Sequence, residues 1–280
     1  MSALLTTSAA LLELPTDHRV TGAAALIRAA LAGSGVTHAV GAEGSAPALV
    51  ARALAAATPR PVVYVTPDLE TARRAAEDLT FYAAGAPRIG PARGGRAPLR
   101  LAASETSPYA EVHPERRAAM LRLATLFHLG QGLPWRFLVV PAAALVRRVV
   151  PRDAVRGGAE RIVAEEAIEL ERVVERLSAS GYLRAPVVED PGAFAVRGGL
   201  LDVWPPQLDG PVRAELYGDL VLSLKPFDGE TQRTTKETLS EVWLPPVREA
   251  ILTPGIGEHA RQTMRAMCDA VNHPSVKARQ

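Results

Sequence analysis

An apolar strand (Thr37–Val40), a glycine-bearing turn (Gly41-Ala42-Glu43-Gly44-Ser45-Ala46-Pro47-Ala48) and an alanine-rich helix (Pro47–Ala56) follow one another without a gap. This succession is the frame of a phosphate-binding loop and commits the first part of the chain to a strand–turn–helix unit. A working loop of the form G-x-x-x-x-G-K-[S/T] needs a second glycine so that the backbone can close on the phosphates. It also needs a lysine to reach them and a hydroxyl to hold magnesium. The three positions are Ala46, Pro47 and Ala48 here, and only Gly41 and Gly44 retain the loop's glycine character. The frame without its lysine and hydroxyl predicts a scaffold that has given up nucleotide binding. An ordinary glycine-rich β–α turn accounts for the same eight residues, and Pro47 suits the first turn of a helix under either reading.

The pattern around the loop extends the unit. Thr21–Ala32 is predicted helical, with Ala24, Leu26, Ile27 and Ala30 apolar. Pro61–Val65 is β-branched enough for a buried strand, and Asp68 is placed to cap a helix through Leu79. Another strand is predicted at Leu99–Ala103, a helix at Pro114–Leu129 and a strand at Phe137–Val140. Strands separated by helices imply a parallel sheet with helices on both faces, an α/β domain over residues 1–157. The character then changes near Gly157-Gly158. Ile168–Ser180 has one apolar stripe, and five short strands follow: Gly192–Arg197, Leu200–Trp204, Val212–Tyr217, Leu220–Phe227 and Glu241–Leu244. A run of strands after a helix predicts an α+β domain over 158–245. Pro245-Pro246 reads as a hinge into residues 246–280, which carry a helix near Ala260–Ala270.

Composition excludes several classes. The chain has 280 residues, is 48% hydrophobic and only 5% aromatic, so alanine, leucine and valine must fill the core. A net charge of +2 is too small to argue for nucleic-acid binding by bulk electrostatics. One cysteine, Cys268, rules out an internal disulfide framework and a cysteine zinc site, and fits a reducing, cytoplasmic compartment. The N-terminus lacks the basic start of a signal peptide, no apolar run is long enough to span a bilayer, and no membrane association is expected. The six histidines show no metal spacing, no serine sits in a G-x-S-x-G elbow, and no Asp-Glu pair follows an apolar strand to hold magnesium. Glu165-Glu166 and Glu189-Asp190 read as acids at element boundaries. Arg88, Arg93, Arg96 and Arg100 fall in a Gly/Pro-rich stretch without interleaved aromatics, which suits a solvated loop better than a DNA site. No cofactor, metal or catalytic residue is expected.

The informative residues lie in the second domain. Arg197-Gly198-Gly199 joins two strands by a tight turn that presents the arginine at the mouth of a hairpin. Val212-Arg213-Ala214-Glu215-Leu216-Tyr217 alternates, sending Val212, Ala214 and Leu216 to the core and Arg213, Glu215 and Tyr217 to solvent. Arginine and tyrosine dominate interface hot spots, so Arg197, Arg213 and Tyr217 describe a protein-binding face. Solvated strand charges with an edge tyrosine are the plainer account of the same spacing.

Phe194-Ala195-Val196-Arg197-Gly198-Gly199-Leu200-Leu201-Asp202-Val203-Trp204-Pro205 resembles the hairpin, R-G and D-x-(F/W)-P segment shared by the bacterial excinuclease protein UvrB and the transcription-repair coupling factors. Phe227-Asp228-Gly229-Glu230-Thr231-Gln232-Arg233 resembles their F-D-x-x-[T/S]-Q-R segment. Ser107-Pro108-Tyr109, with the helix after it, is similar to the coupling factors. UvrB keeps a Lys-Thr loop and a long aromatic-rich hairpin. This chain has neither, since Tyr109 and Phe127 are the only aromatics between Gly85 and Gln131. The resemblance therefore favours the N-terminal module of the coupling factors, with a degenerate nucleotide loop.

That resemblance implies that the second domain docks onto the excinuclease protein UvrA through Arg197, Arg213 and Tyr217. Many relatives carry phenylalanine at the last position. It also implies a polymerase-binding domain and a motor ATPase beyond this stretch, so that RNA polymerase and DNA are reached only through parts not present here. The 280 residues are accordingly expected to be an N-terminal piece of a longer protein or a truncated product. The function implied is a non-catalytic module that recruits UvrA to a stalled polymerase in nucleotide excision repair. The competing expectations are an ATP-dependent DNA-processing protein like UvrB and an autoinhibitory module. Truncating Arg197 or Arg213 is expected to abolish UvrA binding and leave thermal unfolding unchanged.

Overall fold

The structure, a computed structural model, describes residues 4–5, 21–32, 38–39, 42–83, 98–102, 115–250 and 254–270. In chain order the elements are β1 (Leu4–Leu5), α1 (Thr21–Ala32), β2 (His38–Ala39), α2 (Ala46–Ala57), β3 (Val62–Thr66), α3 (Leu69–Ala83), β4 (Leu99–Arg100), α4 (Arg116–Gly130) and β5 (Phe137–Pro141). There follow α5 (Ala142–Leu145), α6 (Arg152–Gly157), β6 (Glu160–Val163), α7 (Leu170–Ala179), β7 (Leu183–Arg184), β8 (Ala193–Arg197), β9 (Leu200–Val203), β10 (Val212–Tyr217), β11 (Leu220–Pro226), β12 (Glu241–Leu244) and α8 (Pro254–Ala270). These divide into two compact units, one drawn from Met1–His113 and Gly132–Arg148, the other from Pro114–Gln131 and Val149–Gln280. Among the described residues no helix is long and apolar enough to cross a membrane.

The first unit is built on a parallel sheet of strand order β3-β5-β4, the α/β arrangement that the patterning predicts. Alanine spacing explains how α2 and α3 reach it. Ala48, Ala51 and Ala55 recur on one face of α2 and Ala72, Ala75, Ala76 and Leu79 on one face of α3. All are buried against Phe137 and Val139 of β5, with Val62 and Tyr64 of β3 beside them. Asp68 caps α3, its carboxylate accepting the Thr71 N–H at 2.7 Å. The reading of residues 61–65 as a wholly buried strand needs correction. β3 alternates, and Val63 and Val65 are each 52% exposed on the face away from Tyr64.

The second unit is an α+β layer. Its five-stranded sheet runs β11-β10-β9-β8-β7, antiparallel except for the parallel β7–β8 pair. One face packs Phe194, Leu201, Val203, Val212, Ala214, Val221 and Leu224 against Val173 and Leu177 of α7. A separate ribbon pairs β6 with β12, strands some eighty residues apart in the chain, and adds Ile162, Val242 and Leu244 to that core. Helix α4 is clamped to the start of β8, where Arg116 donates to the Gly192 carbonyl at 3.0 Å.

Pro245-Pro246 is not a hinge. Pro245, Pro246 and Val247 are buried, the Tyr182 hydroxyl donates to the Pro245 carbonyl at 3.0 Å, and the Val247 N–H donates to the Ser180 carbonyl at 2.9 Å. Two prolines stiffen a segment as readily as they mark a bend, and here the end of α7 holds them. Gly181 makes that corner possible. Its φ is +95°, and a Cβ there would lie 2.5 Å from Cβ of Arg248. Gly181→Ala is therefore expected to cost about 1–3 kcal/mol, read as a lower urea midpoint. Gly157→Ala, which meets nothing within 4 Å, should leave the midpoint unchanged or raise it.

Candidate docking face and the degenerate loop

The turn before α2 is packed at two of its motif positions. Gly44 turns the chain with φ +58° and has open room around it, while Gly41 lies outside the described residues. Ala46 and Ala48, where a glycine and a hydroxyl would serve a nucleotide, are 0% and 1% exposed. Ala46 packs with Leu26 of α1 and Ala48 with the α3 face. Pro47 occupies the first turn of α2. The one hydroxyl left at the turn, Ser45, is 2.8 Å from the Tyr82 hydroxyl and is held by it. Two of the three motif positions, Ala46 and Ala48, are thus packing positions. Supplying the lysine and hydroxyl alone, by Pro47→Lys with Ala48→Thr, should overpack α2 and cost about 1–3 kcal/mol. A thermal melt reads that cost, and a fluorescent ATP analogue should still not bind.

The second cluster stands on the sheet face opposite α7. Register places Ala195, Asp202, Arg213 and Lys225 in one row across β8, β9, β10 and β11. Asp202 is 1% exposed and is the centre of the cluster. Arg213 grips it with both forks, Nε to Oδ1 at 2.7 Å and Nη2 to Oδ2 at 2.8 Å, a bidentate geometry that suits a guanidinium. Arg197, at the end of β8, adds Nη2 to Oδ2 at 2.6 Å. The Arg213 guanidinium also lies over the Phe227 ring, 4.6 Å from its centroid, and its Nη1 points to the Gln232 carbonyl at 3.4 Å. Its hydrogen bonds to Asp202 raise its pKa further above the ordinary arginine value.

Residues 227–233 form a turn beside this arrangement, held by its own hydrogen bonds. The Asp228 carboxylate accepts the N–H groups of Glu230 and Thr231, and the Asp228 N–H donates to the Arg233 carbonyl. Gln232, at φ +59°, turns its carbonyl towards Arg213. The F-D-x-x-T-Q-R segment is therefore a cover over the second arginine, a role that spacing alone does not disclose.

The alternation of β10 is as read for Val212 and Ala214, which are buried. It is corrected for Arg213. Its side chain is only 14% exposed, because Asp202, Phe227 and the 227–233 turn enclose it, whereas Arg197 keeps 43% of its side chain in solvent. Glu215 turns to its own partners, accepting from the Ser223 hydroxyl at 2.7 Å and pairing with Lys225 at 3.0 Å. The Ser223 hydrogen bond first, and Lys225 second, hold its carboxyl below the usual range. Tyr217 is 78% exposed at the end of β10. The turn carrying Arg197 abuts that end, since Leu216 N–H donates to the Gly199 carbonyl at 2.7 Å. A Cβ on Gly199 would sit 2.7 Å from the Leu216 carbonyl, so glycine is required there. Arg197, Arg213 and Tyr217 are brought to one end of one sheet face, while Asp202, which joins the two arginines, was missed as a site residue. The pattern that could have flagged it is an acid in the middle of an otherwise apolar strand, Leu200-Leu201-Asp202-Val203.

Elsewhere, no group of three or more His, Cys, Asp or Glu converges as a metal site among the described residues. Arg100 lies on β4, and Arg88, Arg93, Arg96 and Tyr109 lie outside the described residues.

Residues 161–249, which contain this face, match the family described as the UvrB interaction domain. Over a longer span the chain is 40% identical across 245 residues to the transcription-repair-coupling factor of Myxococcus xanthus, covering 86% of this chain and 20% of that protein. The chain is a relative of the transcription-repair-coupling factors. The Bacillus subtilis coupling factor is 31% identical over 216 residues, 76% of this chain and 17% of its own length. That of Escherichia coli is 29% identical over 177 residues, 63% and 14% respectively. The chain thus spans a fifth or less of these coupling-factor relatives.

The geometry revises one expectation for the two arginines. Removing Arg213 strands a buried carboxylate that Arg197 alone cannot satisfy. Arg213→Ala is expected to lower stability by about 3–5 kcal/mol, and Arg197→Ala by less than about 1 kcal/mol, both read by chemical denaturation.

Proposed function

We propose that this chain is a non-catalytic recruiting module, and that its second domain, residues 158–245, docks onto the excinuclease protein UvrA in transcription-coupled nucleotide excision repair. Arg197 and Tyr217 touch the partner, and Arg213 holds Asp202 and Arg197 in place while offering its remaining exposed edge. The observation that carries the reading is the pairing of a half-exposed arginine with an exposed tyrosine at the end of one rigid hairpin pair. Rigid, pre-oriented arginine and aromatic side chains are the groups that anchor interfaces. Kinship with coupling factors and the UvrB interaction domain match support a role in transcription-repair coupling.

The first domain, residues 1–157, is in this reading a nucleotide-free scaffold, because its loop positions are taken by Ala46, Pro47 and Ala48. Residues 246–280 begin a returning segment of that domain. RNA polymerase and DNA would be engaged through other parts of a coupling factor, in the cytoplasm. The test is binding of purified UvrA to the immobilised chain, with and without Arg197→Ala. The parent chain should bind, and the variant should lose most of that affinity with an unchanged melting curve. Undiminished binding by the variant rejects the docking reading. Magnesium-dependent micromolar binding of a fluorescent ATP analogue would favour an ATP-dependent DNA-processing protein instead.

A further inference from the structure

The β10–β11 hairpin carries more apolar surface than Tyr217. Leu220 is its register partner across the turn, which brings the two Cβ atoms within about 5.5 Å. Leu222 follows two residues on, with Val221 between them turned inward and fully buried. The register slips between Glu215 and Leu216, so that Ser223 faces Glu215 and Val221 faces Leu216, leaving Leu222 as the unpaired residue of a β-bulge. Leu220 is 40% and Leu222 is 53% exposed. Neither contributes to the core on the α7 side, so their exposure is not a by-product of packing.

The backbone edge of β11 is already occupied. Glu165 N–H donates to Val221 and Val221 N–H to Glu166, Ile168 N–H donates to Asp219, and Leu239 N–H to Leu224, all at 2.7–3.0 Å. A partner strand cannot add there, so the hairpin has side chains rather than main chain to offer. Next to it, Arg197, Arg213 and Lys225 pair with two carboxylates, Asp202 and Glu215, which leaves the cluster with positive charge centred on the half-exposed Arg197.

We infer that Tyr217, Leu220 and Leu222 form one apolar contact surface beside Arg197, and that this surface fits a protein patch pairing a carboxylate with aliphatic side chains. The carboxylate meets Arg197, and the aliphatic groups cover the bulge. Leucines offer no ring for base stacking, so the combination favours a protein over a single-stranded nucleic acid. The inference rests on the docking reading and adds the chemistry of the partner's surface to it.

Four proteins separate the possibilities: the parent chain, Arg197→Ala, Leu222→Ser, and Leu220→Ser with Leu222→Ser. Purified UvrA is titrated onto each at low and high ionic strength, and thermal melts are recorded. The double leucine variant should lose ~10-fold or more in affinity with an unchanged melt, and should keep the parent's salt dependence. Arg197→Ala should flatten that salt dependence. Affinity of the double variant within ~2-fold of the parent overturns the apolar surface, even where Arg197→Ala abolishes binding and the docking reading stands. Undiminished affinity of Arg197→Ala, or no binding by the parent, overturns the docking reading and this inference with it. Binding of a single-stranded oligonucleotide that Leu222→Ser abolishes would overturn it in favour of nucleic acid.

Discussion

A carboxylate at 1% exposure in the middle of a sheet decides the second unit. Asp202 sits on β9 with β8 and β10 on either side, and a carboxyl group buried there needs the hydrogen bonds of the guanidinium that each neighbour supplies. That requirement fixes the orientation of two long, otherwise flexible side chains. The turn over residues 227–233 closes on the second arginine with a ring below and a carbonyl beside it. The same interaction that makes the face polar also holds both guanidinium groups in place.

The two arginines consequently have unequal roles. Arg213 commits both forks to Asp202 and is mostly covered, while Arg197 commits one nitrogen and faces outward. Two residues of one type thus stand in an exposed and a covered position around a single carboxylate. In the first unit the turn before α2 places Ala46 and Ala48 in the packing, with Pro47 in the first turn of the helix between them.

Much of the fold is legible in periodicity. The five strands Gly192–Leu244 and the helix at Thr21–Ala32 stand within a few residues of where alternation and apolar spacing put them. What escapes is non-local. The strand Glu160–Val163 is short and bears two charges, and only its pairing with Glu241–Leu244 makes it a strand. Pro245-Pro246 carries the composition of a linker, yet the hydroxyl of Tyr182 and the carbonyl of Ser180 hold it in the interior. The strand at residues 62–66 looks uniformly apolar, but its alternate valines remain half in solvent.

By itself the sequence disclosed most of the elements in their order, the absence of a lysine and a following hydroxyl from the loop, the hairpin that presents Arg197, and the resemblance to coupling factors. These follow from local spacing and from residue identity, which need no partner in space. Only the tertiary structure decided that Asp202 joins the arginines, that Arg213 is a brace rather than a free contact, and that a bulge exposes Leu222 beside Tyr217. Those outcomes depend on strand register and on what covers each face, and a linear pattern of charged and apolar residues cannot say which buried acid lies opposite which base.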